Sequence, residues 1–214
     1  NFSQEALNRH AATMRMRGRP KVVLARTYEE AQKLYDKYSD NTLGVISDAR
    51  FPLKSAAKAF GNEVMPEEKP KHRTDTFGRE KCPDAGLQLF RYIRKNDPFV
   101  PLIIESSESE NRAKAEAEGF RFVDKNSKKM SVDLRRLMEE HMGFGDFIFR
   151  DPKTHEEIMR IHSLKELQDN IFNIPNDSML YHISRNHMSR WLCARAIFPV
   201  SAFLKHVTWE KLQD

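Results

Sequence analysis

Short apolar runs alternate with amphipathic stretches along the first two thirds of the chain. Helical spacing of apolar residues predicts helices over 28–39, 83–96, 109–119 and 131–142, and another over 2–17. Strands that alternate with helices of this length predict an α/β fold, a parallel sheet with helices on both faces. The runs that we interpret as strands are 21–25, 43–47, 101–106 and 120–125.

The pattern changes after residue 142. Apolar residues alternate on both sides of "DPKT" (151–154), which predicts a β-hairpin, and residues 164–207 resemble packed helices. We therefore predict one α/β domain over 1–142 and a small α+β domain over 143–214. An aperiodic, charged segment over 53–83 interrupts the first domain. A loop of this length is usually functional or mobile, and this one should lie near the end of the strand at 43–47.

Two helix starts are marked by a local motif. Thr27 and Ser163 each precede a predicted helix, and each is followed three residues later by a glutamate. This is the spacing of a capping box, in which the hydroxyl accepts a hydrogen bond from a backbone N–H of the first turn.

Composition narrows the class of protein. The chain has 214 residues, of which 39% are hydrophobic and 31% charged, as is typical of a globular protein. No apolar run approaches the ~18 residues of a membrane span, so we expect no membrane partner. The net charge of +5 is spread among acids, which argues against nucleic-acid binding. Two cysteines make no disulfide framework, so we expect a reducing, cytoplasmic setting.

Three polar residues end predicted strands. Asp48 follows "LGVIS", Ser106 closes "PLIIES" and Lys125 closes "FRFVDK". In a parallel sheet the three would emerge at one edge, where α/β proteins place their chemistry. A carboxylate nucleophile, a hydroxyl donor and an ammonium suit phosphoryl transfer. The alternative is ordinary polarity at the ends of strands.

The stretch 20–138 resembles the receiver domain of bacterial response regulators, a flavodoxin-like fold. "LGVISDARFP", "VPLIIESS" and "GFRFVDKN" resemble three of that family's strands. The resemblance implies that Asp48 is the phosphoacceptor. It also implies the remaining site residues: Ser106 as the switch hydroxyl, Lys125 as the phosphoryl-binding cation, Phe122 as the switch aromatic, and Asp48 with the backbone carbonyl of Arg50 as ligands of Mg²⁺.

Three departures from the receiver pattern are present. The resemblance places residue 1 inside the family's first helix, so the strand that carries the Mg²⁺-binding acidic pair is absent from this sequence, and Mg²⁺ is expected only if that pair is present upstream. Asn126 replaces a proline, and residues 53–83 replace a short loop. In the receiver order the first strand lies between those at 21–25 and 43–47. We therefore predict that an upstream segment fills that position, with a strand from a second copy or from another part of the chain as the alternatives.

Motifs in both halves resemble a larger bacterial family. In it a receiver-like module precedes the ATP-binding domain of a phosphoenolpyruvate synthase or pyruvate phosphate dikinase. The motifs are "RPKVVLARTYEEAQKLYDKYSDNTLGVISDARFP", "GFGDFIFRD" and "LYHISRNHMSRWLCAR". The resemblance implies that catalysis lies beyond Asp214 and that this chain is not catalytic by itself. The implied partners are a histidine kinase or small phosphodonor and the downstream phosphotransferase domain, and a homodimer stays open.

Three functions compete on this evidence. The chain is a receiver-like regulatory module phosphorylated on Asp48, a pseudo-receiver that acts as an interaction domain without phosphotransfer, or a fragment of an enzyme whose catalysis lies in another part. In the second domain, Arg185, Arg190 and Arg195 recur every five residues. They either pack and form salt bridges or dock a phosphate-bearing ligand or domain. His182 and His187 are also five apart, a poor spacing for two metal ligands on one helix face.

Overall fold

The computed structural model describes residues 20–54, 74–75, 79–205 and 207, and it divides them into two units. One unit is Val22–Asp133, and the other contains the described residues from Leu134 onward. This boundary lies inside a helix, earlier than the predicted one at 142/143. The predicted helix over 2–17 lies outside the described residues, as does most of the segment 53–83.

The first unit consists of short strands separated by helices. Each helix and strand over 28–141 agrees with a predicted one to within a few residues, apart from two short strands at the ends of the segment 53–83. In chain order the elements are α1 (Tyr28–Tyr38), β1 (Val45–Asp48), β2 (Phe51–Pro52), β3 (Lys81–Cys82), α2 (Ala85–Asn96), β4 (Leu102–Ser106), α3 (Glu110–Ala117), β5 (Arg121–Asp124) and α4 (Met130–His141), with a 3₁₀ turn at Ser39–Asn41.

Three of these strands form a parallel sheet in the order β1-β4-β5. The central strand β4 has Leu102, Ile103 and Ile104 fully buried, as expected for a strand covered on both faces. Phe90 and Ile93 of α2 are equally buried and belong to the same core as Leu102 and Ile104. The α/β class and the parallel sheet are therefore confirmed.

The strand predicted at 21–25 is wrong. These residues have no regular structure, and Val22, Val23 and Leu24 are 96%, 57% and 70% exposed. Valine-rich sequence favours a strand only where a neighbouring strand satisfies its backbone, and no described strand pairs with this run. The sheet consequently has three described strands instead of four. Among the described residues, β1 is an edge strand that pairs only with β4.

The two ends of the segment 53–83 lie side by side. Phe51 pairs with Cys82 and Pro52 with Lys81, so β2 and β3 form a short antiparallel ladder. Thr74 and Glu80 form a further antiparallel bridge inside it. The segment therefore leaves and returns close to the end of β1, as predicted. Most of the segment between these two ends lies outside the described residues.

The second unit contains the predicted hairpin and a group of helices. Strands β6 (Phe147–Arg150) and β7 (Glu157–Ile161) are antiparallel, which confirms the hairpin. Its core contains Phe149, Ile161 and Trp191, all essentially unexposed. The helices are α5 (Leu164–Asn170), α6 (Asn176–Ser184), α7 (His187–Ala194) and α8 (Phe198–Lys205), with a 3₁₀ turn at Ile171–Asn173.

Both predicted helix caps are confirmed. The Thr27 hydroxyl accepts from the backbone N–H of Glu30 at 3.2 Å, and the Ser163 hydroxyl accepts from that of Glu166 at 3.2 Å. None of the helices formed by the described residues combines the length and the apolar character needed to cross a bilayer.

Candidate functional site

Asp48 and Lys125 form a direct ion pair across the parallel sheet. Asp48 is the last residue of β1, and Lys125 directly follows β5, so β4 lies between them in the sheet. The ammonium of Lys125 donates to the Asp48 carboxylate. The Asp48 side chain is 52% exposed, so its carboxylate can be reached from solvent. The structure thus brings together two of the three residues predicted to converge.

Glu105 adds a second carboxylate to this edge. It is paired with Asp48 in the β1–β4 register, and residues paired across a ladder present their side chains on the same face. Partial burial raises the pKa of the Glu105 carboxyl, the negative charge of Asp48 adds to this effect, and Lys125 opposes it. The edge of the sheet at which β1 and β4 end is called the Asp48 edge below. It carries two carboxylates, Asp48 and Glu105, and the ammonium of Lys125, which contacts Asp48.

The Ser106 hydroxyl is buried and engaged with the start of α3. Its Oγ accepts from the Asn111 side-chain amide at 2.9 Å and from the backbone N–H of Glu108 at 3.1 Å. The Ser106 carbonyl also accepts from the Lys125 backbone N–H at 2.9 Å. Ser106 therefore lies at the predicted edge, with its hydroxyl held by the turn that leads into α3.

Arg50 links the end of β1 to the same turn. Its Nη2 contacts both carboxylate oxygens of Glu108, at 3.1 and 3.3 Å. The Arg50 Nε is buried and has no hydrogen-bond partner within the described part of the chain. A buried N–H without an acceptor is costly.

Phe122 is partly buried in the core of the first unit. The Arg112 guanidinium, from α3, lies 4.7 Å from the centre of its ring in a cation–π contact. The predicted switch hydroxyl and the predicted switch aromatic thus both contact the first turns of α3, through the neighbouring residues Asn111 and Arg112.

Asn126 and Gly86 shape the backbone around the site. The Asn126 side-chain amide donates to the Ser107 carbonyl at 2.8 Å and ties the end of β5 to that of β4. Gly86, in the first turn of α2, donates its N–H to the Ala49 carbonyl at 3.0 Å. A Cβ at Gly86 would lie 2.4 Å from the Asp48 carbonyl oxygen, so only glycine allows this approach.

A Mg²⁺ ion at the Asp48 edge would be held by one or two carboxylates, with water or phosphate oxygens at its other positions. The edge offers those of Asp48 and Glu105, and Lys125 contacts that of Asp48. In the described ranges, no group of three His, Cys, Asp or Glu side chains could hold a metal ion. The expected Mg²⁺, with Asp48 and the Arg50 carbonyl as ligands, stays conditional on an acidic pair from another segment.

The second unit contains a buried pair of histidines. The backbone N–H of Arg150 donates to His182 Nε2 at 3.0 Å, and His182 Nδ1 lies 3.0 Å from His187 Nδ1. His182 therefore carries its proton on Nδ1 and donates it to His187. Burial lowers the pKa of His182 to about 4 and that of His187 to about 3, and nearby positive charges, including Arg185, act in the same direction. Both rings are neutral near pH 7.

The three arginines of this unit have different surroundings. Arg195 donates to the carbonyls of Gly143 and Gly145, both at 2.7 Å, and its guanidinium lies 3.8 Å from the centre of the Trp191 ring. Arg190 is buried. Arg185 stacks on its neighbour Tyr181 at 4.1 Å. The contacts of Arg195 show that it packs within the unit. Docking of a phosphate-bearing ligand or domain by the three arginines stays a prediction.

Four residues of the Asp48 edge were not predicted from the sequence: Glu105, Glu108, Asn111 and Gly86. Arg50 and Glu108 each lie two residues beyond a predicted site residue. Their opposite charges at neighbouring strand ends were a signal that could have suggested the pair. The contacts of Asn111 and Gly86 left no such signal, because they depend on how α3 and α2 pack against the strands.

Comparisons with known proteins gave no match to a family model, to a curated protein or to a solved structure.

Proposed function

We propose that the unit Val22–Asp133 is a receiver-like signalling module whose Asp48 accepts a phosphoryl group. The observation that carries the proposal is the ion pair between Asp48 and Lys125 at the carboxyl end of a parallel sheet. The strand order β1-β4-β5 is compatible with three consecutive strands of a flavodoxin-like receiver.

The chemistry follows from the side chains at this edge. A carboxylate oxygen of Asp48 attacks the phosphorus of a phosphodonor and forms a P–O bond. The bond to the donor's leaving group breaks, and its electron pair departs with that group. Lys125 neutralises the negative charge that accumulates at the phosphoryl oxygens. The Ser106 Oγ accepts from Asn111 and Glu108 through its lone pairs, which leaves its O–H to donate to one of these oxygens.

In this proposal the donor is a histidine kinase or a small phosphodonor. The module belongs to a larger phosphoenolpyruvate synthase-like phosphotransferase, and its downstream ATP-binding domain is the partner that receives the signal. The support for this wider setting is the resemblance of the motifs in both halves of the chain.

The test is labelling with acetyl phosphate in a buffer that contains Mg²⁺, read by intact mass and by peptide mapping. The expected result is one phosphoryl group on Asp48 that hydroxylamine removes, since it is an acyl phosphate. D48N should abolish the label, and K125Q should slow its formation. The matched control is D40N, which changes an exposed aspartate of the Ser39–Asn41 turn and should leave labelling intact.

A second candidate is a pseudo-receiver that binds a partner without phosphotransfer. It is favoured by two departures from the receiver pattern, Asn126 in place of a proline and residues 53–83 in place of a short loop. A folded chain that takes no label on Asp48, from acetyl phosphate or from a kinase, would support this candidate and refute the first.

A further inference from the structure

We propose that His187, Arg185 and Tyr181 of the second unit form a binding site for a phosphate group, either free phosphate or a small phosphate monoester. Its donors are the Nε2–H of the His187 ring, the Arg185 guanidinium and the Tyr181 hydroxyl. The site belongs to the second unit, so it does not rest on the function proposed for Asp48.

A chain of hydrogen bonds fixes the proton of each histidine ring. The backbone N–H of Arg150 donates to His182 Nε2 at 3.0 Å, so this neutral ring carries its proton on Nδ1. Nδ1 of His182 lies 3.0 Å from Nδ1 of His187, which accepts that proton's hydrogen bond. A neutral ring that accepts at Nδ1 carries its own proton on Nε2. The Nε2–H of His187 is consequently a hydrogen-bond donor.

This Nε2–H has no acceptor in the described part of the chain. The hydrogen bond that His187 makes through its ring within that part is the one at Nδ1. His187 is only partly buried, whereas its partner His182 is 4% exposed. The exposed part of His187 is where an acceptor supplied by a ligand would approach.

Tyr181 and Arg185 place two more donors beside the His187 ring. The centres of the Tyr181 and His187 rings are 5.9 Å apart, and the Arg185 guanidinium lies 4.1 Å from the centre of the Tyr181 ring. Arg185 makes one long hydrogen bond, from Nη1 to the Tyr181 carbonyl at 3.4 Å. Among the described residues, no group bonds to the Tyr181 hydroxyl and no carboxylate pairs with Arg185. Both side chains therefore keep donors for a ligand.

The electrostatic surroundings of the two rings favour an anion over a metal cation. Burial lowers the pKa of His187, and the positive charges of Arg190 and Arg185 act in the same direction. Burial also lowers the pKa of His182, with Arg150 and Arg185 adding to the effect. Positive charge that opposes protonation of a ring attracts an anion by the same Coulomb interaction.

Phosphate fits the donors better than a carboxylate does. A phosphate monoester has three terminal oxygens, one for each of the three donor side chains, and about two negative charges. A carboxylate has two oxygens and one charge. Arginine also binds phosphate through two parallel N–H groups, which strengthens the contact and fixes its geometry.

The test is isothermal titration calorimetry of the full chain near neutral pH, with inorganic phosphate and with phenyl phosphate. Sodium chloride at matched ionic strength controls for screening. We expect one saturable site for at least one of the two phosphates. Binding of phenyl phosphate identifies a monoester as the ligand, and binding of inorganic phosphate alone identifies free phosphate. No saturable binding of either, or the same heat from chloride, overturns the proposal.

Substitutions at His187 separate its donor from the rest of the ring. H187N keeps an acceptor for His182 near the position of Nδ1 but removes the Nε2–H, so it should weaken phosphate binding about tenfold. H187Q places an amide N–H near the position of Nε2 and should keep most of the affinity. Equal affinity of H187N and the wild type overturns the assigned donor.

The remaining donors have a matched control in the same unit. R185M should weaken phosphate binding about tenfold, and Y181F should weaken it less, because it removes a neutral donor. R136M removes an exposed arginine of α4 and should leave the affinity at the wild-type value. An equal loss in R136M and R185M would show a general charge effect and overturn the site.

The imidazole ¹⁵N–¹H NMR spectrum of the wild-type chain tests the arrangement of protons without any substitution. We expect the Nε2–H tautomer for His187 and the Nδ1–H tautomer for His182. Inorganic phosphate should shift the Nε2–H signal of His187 and leave the signals of the exposed His162 in place. A His187 ring that carries its proton on Nδ1, or that does not respond to phosphate, overturns the proposal.

Discussion

Acidification should destabilise the second unit well before its carboxylates titrate, because His182 and His187 are buried as neutral rings. Unfolding returns both to water, where their pKa has its ordinary value of 6.5, whereas the folded pKa values are about 4 and about 3. A lowered folded pKa means that the unfolded chain binds more protons at any pH between these values. The stabilisation that comes from the two neutral histidines is therefore fully present above pH 6.5, and the free energy of unfolding decreases as the pH drops below it.

The size of the effect follows from linkage. Each histidine removes about 1.4 kcal/mol per pH unit below its unfolded pKa. At about pH 5, some 1.5 units below 6.5, the loss is about 2 kcal/mol for each ring and about 4 kcal/mol for the pair. A loss of that size is a large fraction of the stability of a small domain.

The assay is urea unfolding between about pH 8 and about pH 5, followed by the fluorescence of Trp191, which is buried in the core of this unit. H187N keeps an acceptor near the position of Nδ1 and removes one titrating ring, so the loss on acidification should fall to about 2 kcal/mol. H182Q keeps an acceptor near Nε2 for the Arg150 N–H and should act similarly. An unchanged loss in the double variant would refute the reasoning and place the proton uptake elsewhere.

Two further substitutions test the packing of each unit. G86A should lower the free energy of unfolding of the first unit by about 1–3 kcal/mol, because its Cβ has no room beside the Asp48 carbonyl oxygen. It should also slow labelling of Asp48, and wild-type stability in urea would contradict the close approach. R195M should destabilise the second unit by about 1–3 kcal/mol, because it removes the guanidinium donor of the Gly143 carbonyl and leaves the Gly145 carbonyl with only the Trp191 indole N–H. R185M is the matched change at a stacked arginine with one long backbone hydrogen bond, at 3.4 Å. It should lower the free energy of unfolding clearly less in the same urea assay, and equal losses would contradict the assignment.

The sequence by itself determined the elements whose stabilising contacts are local. The caps at Thr27 and Ser163 bond to a backbone three residues away, so their spacing is sufficient evidence. Gly119 ends α3 with a φ of +73°, a conformation that glycine adopts without strain. Strands β4 and β6 follow from apolar patterns that match their burial, a continuous buried run in β4 and alternating buried phenylalanines in β6. In β1 the match fails, because Ile46 is exposed and Ser47 is buried.

The tertiary structure decided everything that depends on a distant partner. The run at 21–25 has strand propensity, yet no described strand pairs with it, and propensity alone does not hold backbone groups together. Asp48 and Lys125 are 77 residues apart, and the contact between them exists because β1 and β5 flank β4. A resemblance suggested that pair, but only the packing of α3 shows that Ser106 is held by Asn111. His182 and His187 have the wrong spacing for one helix face, and they meet because the chain turns at Asn186, with a φ of +58°, between α6 and α7. A side-chain contact of this kind depends on where the backbone changes direction, which no local period of apolar and polar residues encodes.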